Sequence, residues 1–491
     1  MSTNAIQAAL SGLSVAQRQL DVASRNTANV GTDGYTRKIL PQETNFAGPI
    51  PLGVRSGEVY RQVDEYLTRD LWRQESVMGD ATASTSYLQR IMELHGRPDE
   101  ESSLAARINA LGNVFVELTA QPDSYVLYSD AIDQATAVTK QFNVLGQAMV
   151  DCRNDVIGDI TCSVDNINES LDTIARLNVT IQREYYNGHS TADLEDRRDM
   201  EIRTLGKQIE FTYYKRGDNT IVVQSNRGHI LADHAARQLH YEPKYMTAQM
   251  SYPSAGGTIR LEDPATGVDF AAFGPGGRLG ALIHLRDEIY PQQIAQLDEL
   301  AHKMAMRFEA QDLQMFTDMT GTVPADTAGG YVGFATEIQV NDAVILDPSL
   351  VRTGTGGAVV NPGSNEIITR IAQFTFGREE IDFPSTDHPP FRTIGLGPDG
   401  SVETELLSKA TLEEYARHMI IHQSERHAAA ETRQQFEQTY HDTLEHRLLT
   451  DTAVNLDEEM SHMMEIQQAY SASARMLQMV RTMFDELTNL L

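Results

Sequence analysis

Two stretches, one near each end of a 491-residue chain, repeat the same seven-residue spacing, and this restricts the fold more than any other feature. Leu456, Met463, Tyr470, Leu477, Phe484 and Leu491 follow one another at intervals of seven. Ile466, Val480 and Leu487 fill the interleaved positions, with Ser473 as the small member. Near the start, Ile6, Leu13 and Leu20 alternate with Ala9, Ala16, Ala23 and Val30 on the same grid. A sustained heptad keeps one stripe of a helix facing a partner, and alanines on that stripe let two backbones approach closely. A chain with such helices at both ends reads as built for assembly, with no catalytic pocket as its organising centre.

Length and charge set the next limits. A chain of 491 residues exceeds one ordinary core, so two to four domains are expected. Acidic side chains number 69 against 40 basic ones, for a net charge of −29, which argues against nucleic acid or an anionic membrane as partner. Residues 1–60 hold five basic and four acidic side chains, so a near-neutral end flanks an acidic middle. The first thirty residues have no basic segment followed by an apolar one, and no run of about 18 apolar residues occurs. Cys152 and Cys162 fall in one predicted helix roughly 15 Å apart, too far for a disulfide. These features fit a cytoplasmic protein or one exported unfolded.

The chain divides by periodicity. Residues 4–30 read as one amphipathic helix of roughly 40 Å, stopped by Gly31, Asp33 and Gly34. A Pro/Gly-broken extended segment follows, then helix from about 62 to 205, best at Ile160, Val164, Ile167, Leu171, Ile174, Leu177, Ile181 and Tyr185. Near 207 the period becomes two. Ile209, Phe211 and Tyr213 alternate, Gly217-Asp218-Asn219 turns, and Ile221 and Val223 alternate again, a hairpin pattern. Helix is expected again over 278–314 and 411–447, with an irregular stretch rich in Gly, Thr and Pro between. The last helix opens at Asn455 with Glu458 three residues on, the offset of a capping box.

Specific residues between and on the stripes add a resemblance. Ala9-Leu10-Ser11-Gly12-Leu13, then Gln17, Leu20, Ser24, Asn26-Thr27-Ala28-Asn29, Thr32 and Gly34-Tyr35-Thr36-Arg37, resembles the N-terminal signature of bacterial flagellar axial proteins. Val454-Asn455-Leu456-Asp457-Glu458-Glu459-Met460, with Gln467-Gln468-Ala469-Tyr470 and Met483-Phe484-Asp485, resembles the C-terminal signature of the same family. Gly276-Gly277-Arg278-Leu279-Gly280-Ala281-Leu282, Arg286-Asp287 and Pro291 are similar to the internal helix of its hook-associated members, which join hook to filament. Lys38 and Ile39 depart from the polar residues expected after Arg37.

The resemblance implies an α+β multidomain fold with its N- and C-terminal helices paired as a coiled coil, a discontinuous long-helix body and a β-rich outer insertion. Residues 1–60 plus 450–491 would form the assembly domain. Residues 61–205, 275–315 and 405–449 would form the helical body, and 206–274 plus 316–404 the outer domain. The assembly seam would use Ile6, Ala9, Leu13, Ala16, Leu20 and Ala23 against Leu456, Met463, Ile466, Tyr470, Leu477, Val480, Phe484, Leu487 and Leu491. Asn26, Asn29, Gly34, Tyr35 and Arg37 carry the family signature. Implied partners are further copies of the chain, the flagellar hook protein, hook-associated protein 3 and an export chaperone on the C-terminal helix. The implied location is the extracellular flagellum at the hook–filament junction, reached by the flagellar type III route without a cleaved signal peptide. A hook or distal rod component is the alternative. The terminal helices are expected to be disordered in the free monomer and to order on assembly, because a short helix draws its stability from packing.

No motif points to an enzyme, a cofactor or a metal. His418 and His422 have chelating spacing, but Met419-Ile420-Ile421 lies between them, without the glutamate of a zinc hydrolase, and the pair reads as a solvated helix face. His427, His441 and His446 share no face at regular spacing. Gly274, Gly276, Gly277 and Gly280 precede no Lys-Ser/Thr pair and read as a turn before a helix. Arg216-Gly217-Asp218 sits in the predicted hairpin turn, where Gly-Asp-Asn is ordinary turn chemistry.

Overall fold

Long helices set the frame. The computed structural model describes residues 2–47, 50–97, 100, 102–251, 255–327, 329–357, 363–377 and 390–489. Helix α1 (Ser2–Ala28) leads into β1 (Lys38–Ile39), β2 (Gln42–Ala47), β3 (Ile50–Ser56) and β4 (Tyr60–Arg61). The Pro/Gly-broken segment is thus two antiparallel ribbons, with Lys38 opposite Arg61 in β1–β4 and Gln42 opposite Ser56 in β2–β3. Next come α2 (Glu65–His95), α3 (Leu104–Ala120), α4 (Tyr125–Tyr186) and α5 (Ala192–Gln208). Their starts follow from local chemistry: the side chains of Asp64, Ser103 and Ser124 each accept from backbone N–H groups of the first turn. At 62 residues, α4 is roughly 93 Å long. Of its stripe, Ile160, Val164, Ile167, Leu171, Ile174 and Ile181 are buried as the spacing predicts, while Leu177 is partly buried and Tyr185 is exposed.

The period-two segment forms β5 (Phe211–Lys215), β6 (Ile221–Ser225) and β7 (Ile230–Ala232), an antiparallel sheet in which Tyr213 faces Val223. A second small sheet holds β8 (Leu239–Tyr241), β9 (Ile259–Leu261) and β10 (Val268–Asp269). Then α6 (Gly277–His284) passes through a π-helical turn at Leu285–Ile289 into α7 (Tyr290–Glu309). Pro291, at the start of α7, has no N–H for an ordinary helical bond, which suits a widened turn there. The stretch expected to be irregular contains β11 (Phe316–Thr317), α8 (Phe334–Glu337), β12 (Gln339–Val340), α9 (Asp342–Leu346), α10 (Leu350–Thr353) and α11 (Glu366–Arg370). Finally α12 (Leu412–Thr452) and α13 (Leu456–Asn489) complete the chain.

One continuous apolar core links α2, α3, α4, α6 and α7 with the start of α12 and the inner faces of both small sheets. Helix α12 opens with a capping box, Glu414 N to Thr411 Oγ1 and Thr411 N to Glu414 Oε2, each 3.0 Å. It runs antiparallel to α2: Arg433 meets Asp80, Glu437 meets Gln74, His441 meets Glu75, and Leu444 packs on Leu67 and Leu71. This pairing carries the end of α12, and with it α13, back beside α1 and β1. Among the described residues no helix is long and apolar enough to cross a membrane.

Candidate assembly interface

Helices α1 and α13 lie side by side and antiparallel. An ideal Cβ on Gly12 would stand 3.1 Å from Ser473 Oγ, and Asn26 Nδ2 donates to Glu459 Oε1 at 3.3 Å. Numbers rise along one helix as they fall along the other, so the two heptads stay in step. Ala9, Ala16 and Ala23 are buried, as are Glu459, Ile466 and Val480, with Ser473 partly so. Ile6, Leu13 and Leu20 are partly buried, like Met463 and Leu477, while Leu456 and Tyr470 are exposed. The sequence reading set the large Leu456-to-Leu491 stripe at the centre of this contact. The structure closes the contact with the alanines and the interleaved stripe, because small side chains bring the backbones together and push larger neighbours to the flank. Leu491 lies outside the described residues, as do the side chains of Phe484 and Leu487. The other side of α1 meets the β2–β3 ribbon: Val54 N donates to Ser11 Oγ at 3.2 Å and Arg18 Nη1 to Ser56 Oγ at 3.0 Å.

At the inner end of this pair the signature residues form a polar hub. Asn26 uses its whole amide. Nδ2 donates to Lys38 O (2.9 Å) and to Glu459, while Oδ1 accepts from Lys38 N (3.1 Å) and Tyr35 OH (3.0 Å). Arg37 Nε donates to Glu459 Oε1 at 2.7 Å, and its backbone N–H to Thr452 O at 2.9 Å. Burial, followed by the fields of Asp193 and Asp196, pushes the Tyr35 hydroxyl up to about 12, so it stays a donor. Gly34 sits at φ +72 with its missing Cβ 2.3 Å from Met200 Sδ, so the turn needs glycine for conformation and for space. Asn29 stands apart; its Nδ2 donates to Arg25 O at 2.8 Å and finishes α1.

A second layer, which no sequence spacing announces, joins the hub to the body. Asp196 on α5 accepts from Thr36 N (3.2 Å), Thr36 Oγ1 (2.7 Å) and Arg61 Nη1 (3.0 Å), and pairs with Lys38 Nζ. Lys38 also reaches Asp193 at 3.1 Å and stands over the Tyr35 ring. Arg61 further contacts Glu195 (3.2 Å) and Asp199 (2.8 Å). Burial works against its charge, but Asp199, Glu195 and Asp196 outweigh that and hold it above the usual arginine range. Lys38, a departure from the expected signature, is thus a buried member of the joint. Beside the hub a cleft of about 350 Å³ is lined by Leu71, Trp72, Met200, Leu448 and Leu449.

The remaining motifs are occupied structurally. His422 Nε2 lies 3.3 Å from Glu405, and His418 faces solvent. His441, Asp442 and Glu445 bring three ligand-type atoms within 4.8 Å of one another, yet His441 bonds Glu75 and Glu445 bonds Arg203. Asp218 receives Thr220 N and Oγ1 within its turn, and Arg216 pairs with Asp233. Gly276 and Gly277 turn the chain at positive φ before α6.

Family models fall on these same segments. Residues 6–36 match "Flagella basal body rod protein" and 449–490 match "Flagellar basal body rod FlgEFG protein C-terminal", so α1 with its hub loop and α13 carry the two terminal axial patterns. Residues 88–326, from the end of α2 to just past β11, match "Flagellar hook-associated protein FlgK helical domain". Flagellar hook-associated protein 1 of Bacillus subtilis is 24% identical over 99% of this chain and 97% of its own length. Over nearly its whole length the chain is similar to flagellar hook-associated protein 1. Members from Salmonella typhimurium and Escherichia coli are 26% and 25% identical over 75% and 62% of this chain, and 68% and 56% of their own. The solved flagellar hook junction protein FlgK from Burkholderia pseudomallei aligns with 52% of this chain and 45% of its own at TM-score 0.44 and 22% identity, too low to add to the argument. The resemblance seen at 276–291 and at both terminal signatures therefore holds, and the hook-associated reading stands over the rod and hook alternatives.

Proposed function

We propose that this chain is a structural component of the bacterial flagellum that joins hook to filament, and that its terminal helices drive the assembly. One observation carries the reading: the two segments with axial-family patterns fold onto each other as an in-step antiparallel pair, anchored through Asn26, Arg37 and Glu459. In this reading α1 and α13 form a coiled coil in the inner layer of a tube, and residues 1–60 with 450–491 are the assembly domain. The helical body and the segments 206–274 and 316–404 project outward, where a net charge of −29 keeps them solvated. Copies related by a screw axis use heterologous contacts, which extend a helical layer and do not close a dimer. Hook protein and hook-associated protein 3 are the proposed neighbours on the two sides, with an export chaperone on α13 beforehand. The protein reaches the cell exterior by the flagellar export route, and its role there is structural. Immunogold labelling of purified hook–filament structures tests this: label is expected as one band at the distal end of the hook. Label along the hook, or in the rod, overturns it in favour of a sister axial protein.

A further inference from the structure

Six of the chain's 18 methionines, Met460, Met463, Met464, Met476, Met479 and Met483, lie in the 34 residues of α13. All but Met463 are 49–60% exposed. Their placement is not random. With Leu456 as heptad position a, Met460 and Met464 occupy e and b, while Met476, Met479 and Met483 occupy g, c and g. Around a helix of 3.6 residues per turn, e and b lie beyond a, and g and c lie beyond d. Because α1 covers the d stripe of Glu459, Ile466 and Val480, the two groups are left on opposite flanks of the pair. They also lie on opposite halves of the helix, with centres about 17 residues or roughly 26 Å apart. The exposed Leu456 extends the first patch.

We propose that neighbouring copies of this chain pack α13 against α13 through these patches, Met460 and Met464 of one copy meeting Met476, Met479 and Met483 of the next. The inference rests on the assembly reading and adds its lateral contact. The occupant is a second copy because each copy shows the same apolar chemistry on both flanks, continuous with the α1–α13 contact. A patch on each side gives a head-to-tail contact that repeats without closing. Matching the patches shifts parallel neighbours by roughly 26 Å along the helix axis. Helix α1 is not free to serve, since the β2–β3 ribbon occupies its other side. Methionine suits such a contact, as its unbranched thioether fills irregular gaps between repeated surfaces.

The test is site-directed disulfide formation in isolated hook–filament structures carrying full-length variants, with the exposed Cys162 replaced by Ser. The double variant Met460→Cys/Met479→Cys is expected to give a ladder of linked multimers on oxidation. Each single variant is expected to cross-link at least about tenfold less, since neither position faces its own copy. Single variants that cross-link as well as the double, a double variant that stays monomeric, or linkage to a different subunit overturns the proposal. Gly12→Cys/Ser473→Cys serves as the control, because an ideal Cβ on Gly12 lies 3.9 Å from Ser473 Cβ, within disulfide reach. If that intrachain bond forms and the ladder does not, the lateral contact alone fails. If neither forms, the α1–α13 pairing beneath the assembly reading fails too.

Discussion

Helices α7 and α13 are both amphipathic by sequence, yet they meet opposite ends. Of the 20 residues of α7, all but Met306 and Glu309 are buried. Among the described side chains of α13, only Glu459, Ile466 and Val480 are. Helix α7 buries even its polar face, because the chain supplies partners from distant loops. Asp298 accepts from Gly333 N (2.7 Å) and Ala335 N (2.9 Å), Glu299 accepts from Tyr331 OH (2.5 Å) and Arg392 N (2.6 Å), and Lys303 pairs with Asp326 (3.1 Å). Among the described residues, helix α13 packs chiefly on α1. A helix whose partners are all on the chain builds a core; one whose stripes exceed its partners builds an interface.

Removing α13 should separate the two roles most sharply. A chain lacking residues 456–491 is expected to lose incorporation at the junction entirely while the body still unfolds as one cooperative transition. Retained incorporation in purified flagella would remove the basis of the assembly reading. Asp196→Ala attacks the joint between the regions. It strips the carboxylate shared by Lys38, Arg61 and Thr36; Arg61 keeps Glu195 and Asp199 and Lys38 keeps Asp193, so the lost hydrogen bonds are expected to cost about 1–3 kcal/mol. Urea unfolding should record that loss, and limited proteolysis should cut first within 29–37. A variant as stable as the parent would mean the hub does not fasten the terminal pair to the body.

Within the core, Asp298 makes α7 pH-sensitive. Burial raises its carboxyl to about 7, and the two backbone N–H groups only partly counter this. The folded state therefore holds this proton more tightly than the unfolded chain. Stability from this group is complete below about pH 4 and falls as pH rises towards 7, by up to roughly 4 kcal/mol. Asp298→Asn should flatten that slope between pH 4 and 7 in urea titrations, at a constant offset for the altered amide contacts. His95 and His302, each lowered by burial to about 4, act in the other sense, losing stability as pH drops through 6 to 4. An unchanged slope in Asp298→Asn would assign the pH response to other groups. The smallest expected effect on the monomer is Leu477→Asp on the partly buried flank of α13. Stability should change by about 1 kcal/mol or less while incorporation falls. A large loss of monomer stability would show that this flank is already committed within the chain.

Much of this was legible in the sequence. Heptads at both ends, the long stripe of α4 and the period-two pattern of β5–β6 are local, and local spacing reports which face of an element is apolar. So is the turn chemistry around Gly34. The hub was only half legible: Asn26, Tyr35 and Arg37 stood out by their resemblance, but Lys38 looked like a departure and Asp196 like one acid among 69. Thr36 and Asp196 are 160 residues apart, and Asn26 and Glu459 are 433 apart, so no spacing rule connects them.

The sequence by itself thus determined that the two ends are helices with a stripe to cover, and that both ends resemble those of flagellar axial proteins. Which stripe is covered was decided by the tertiary structure. Periodicity ranks faces by hydrophobicity, and by that measure Leu456, Met463, Tyr470 and Leu477 should have come first. Packing ranks them by how closely backbones can approach, and Ala9, Ala16, Ala23, Gly12 and Ser473 win that contest. The larger side chains are left at the flanks, where another chain can reach them.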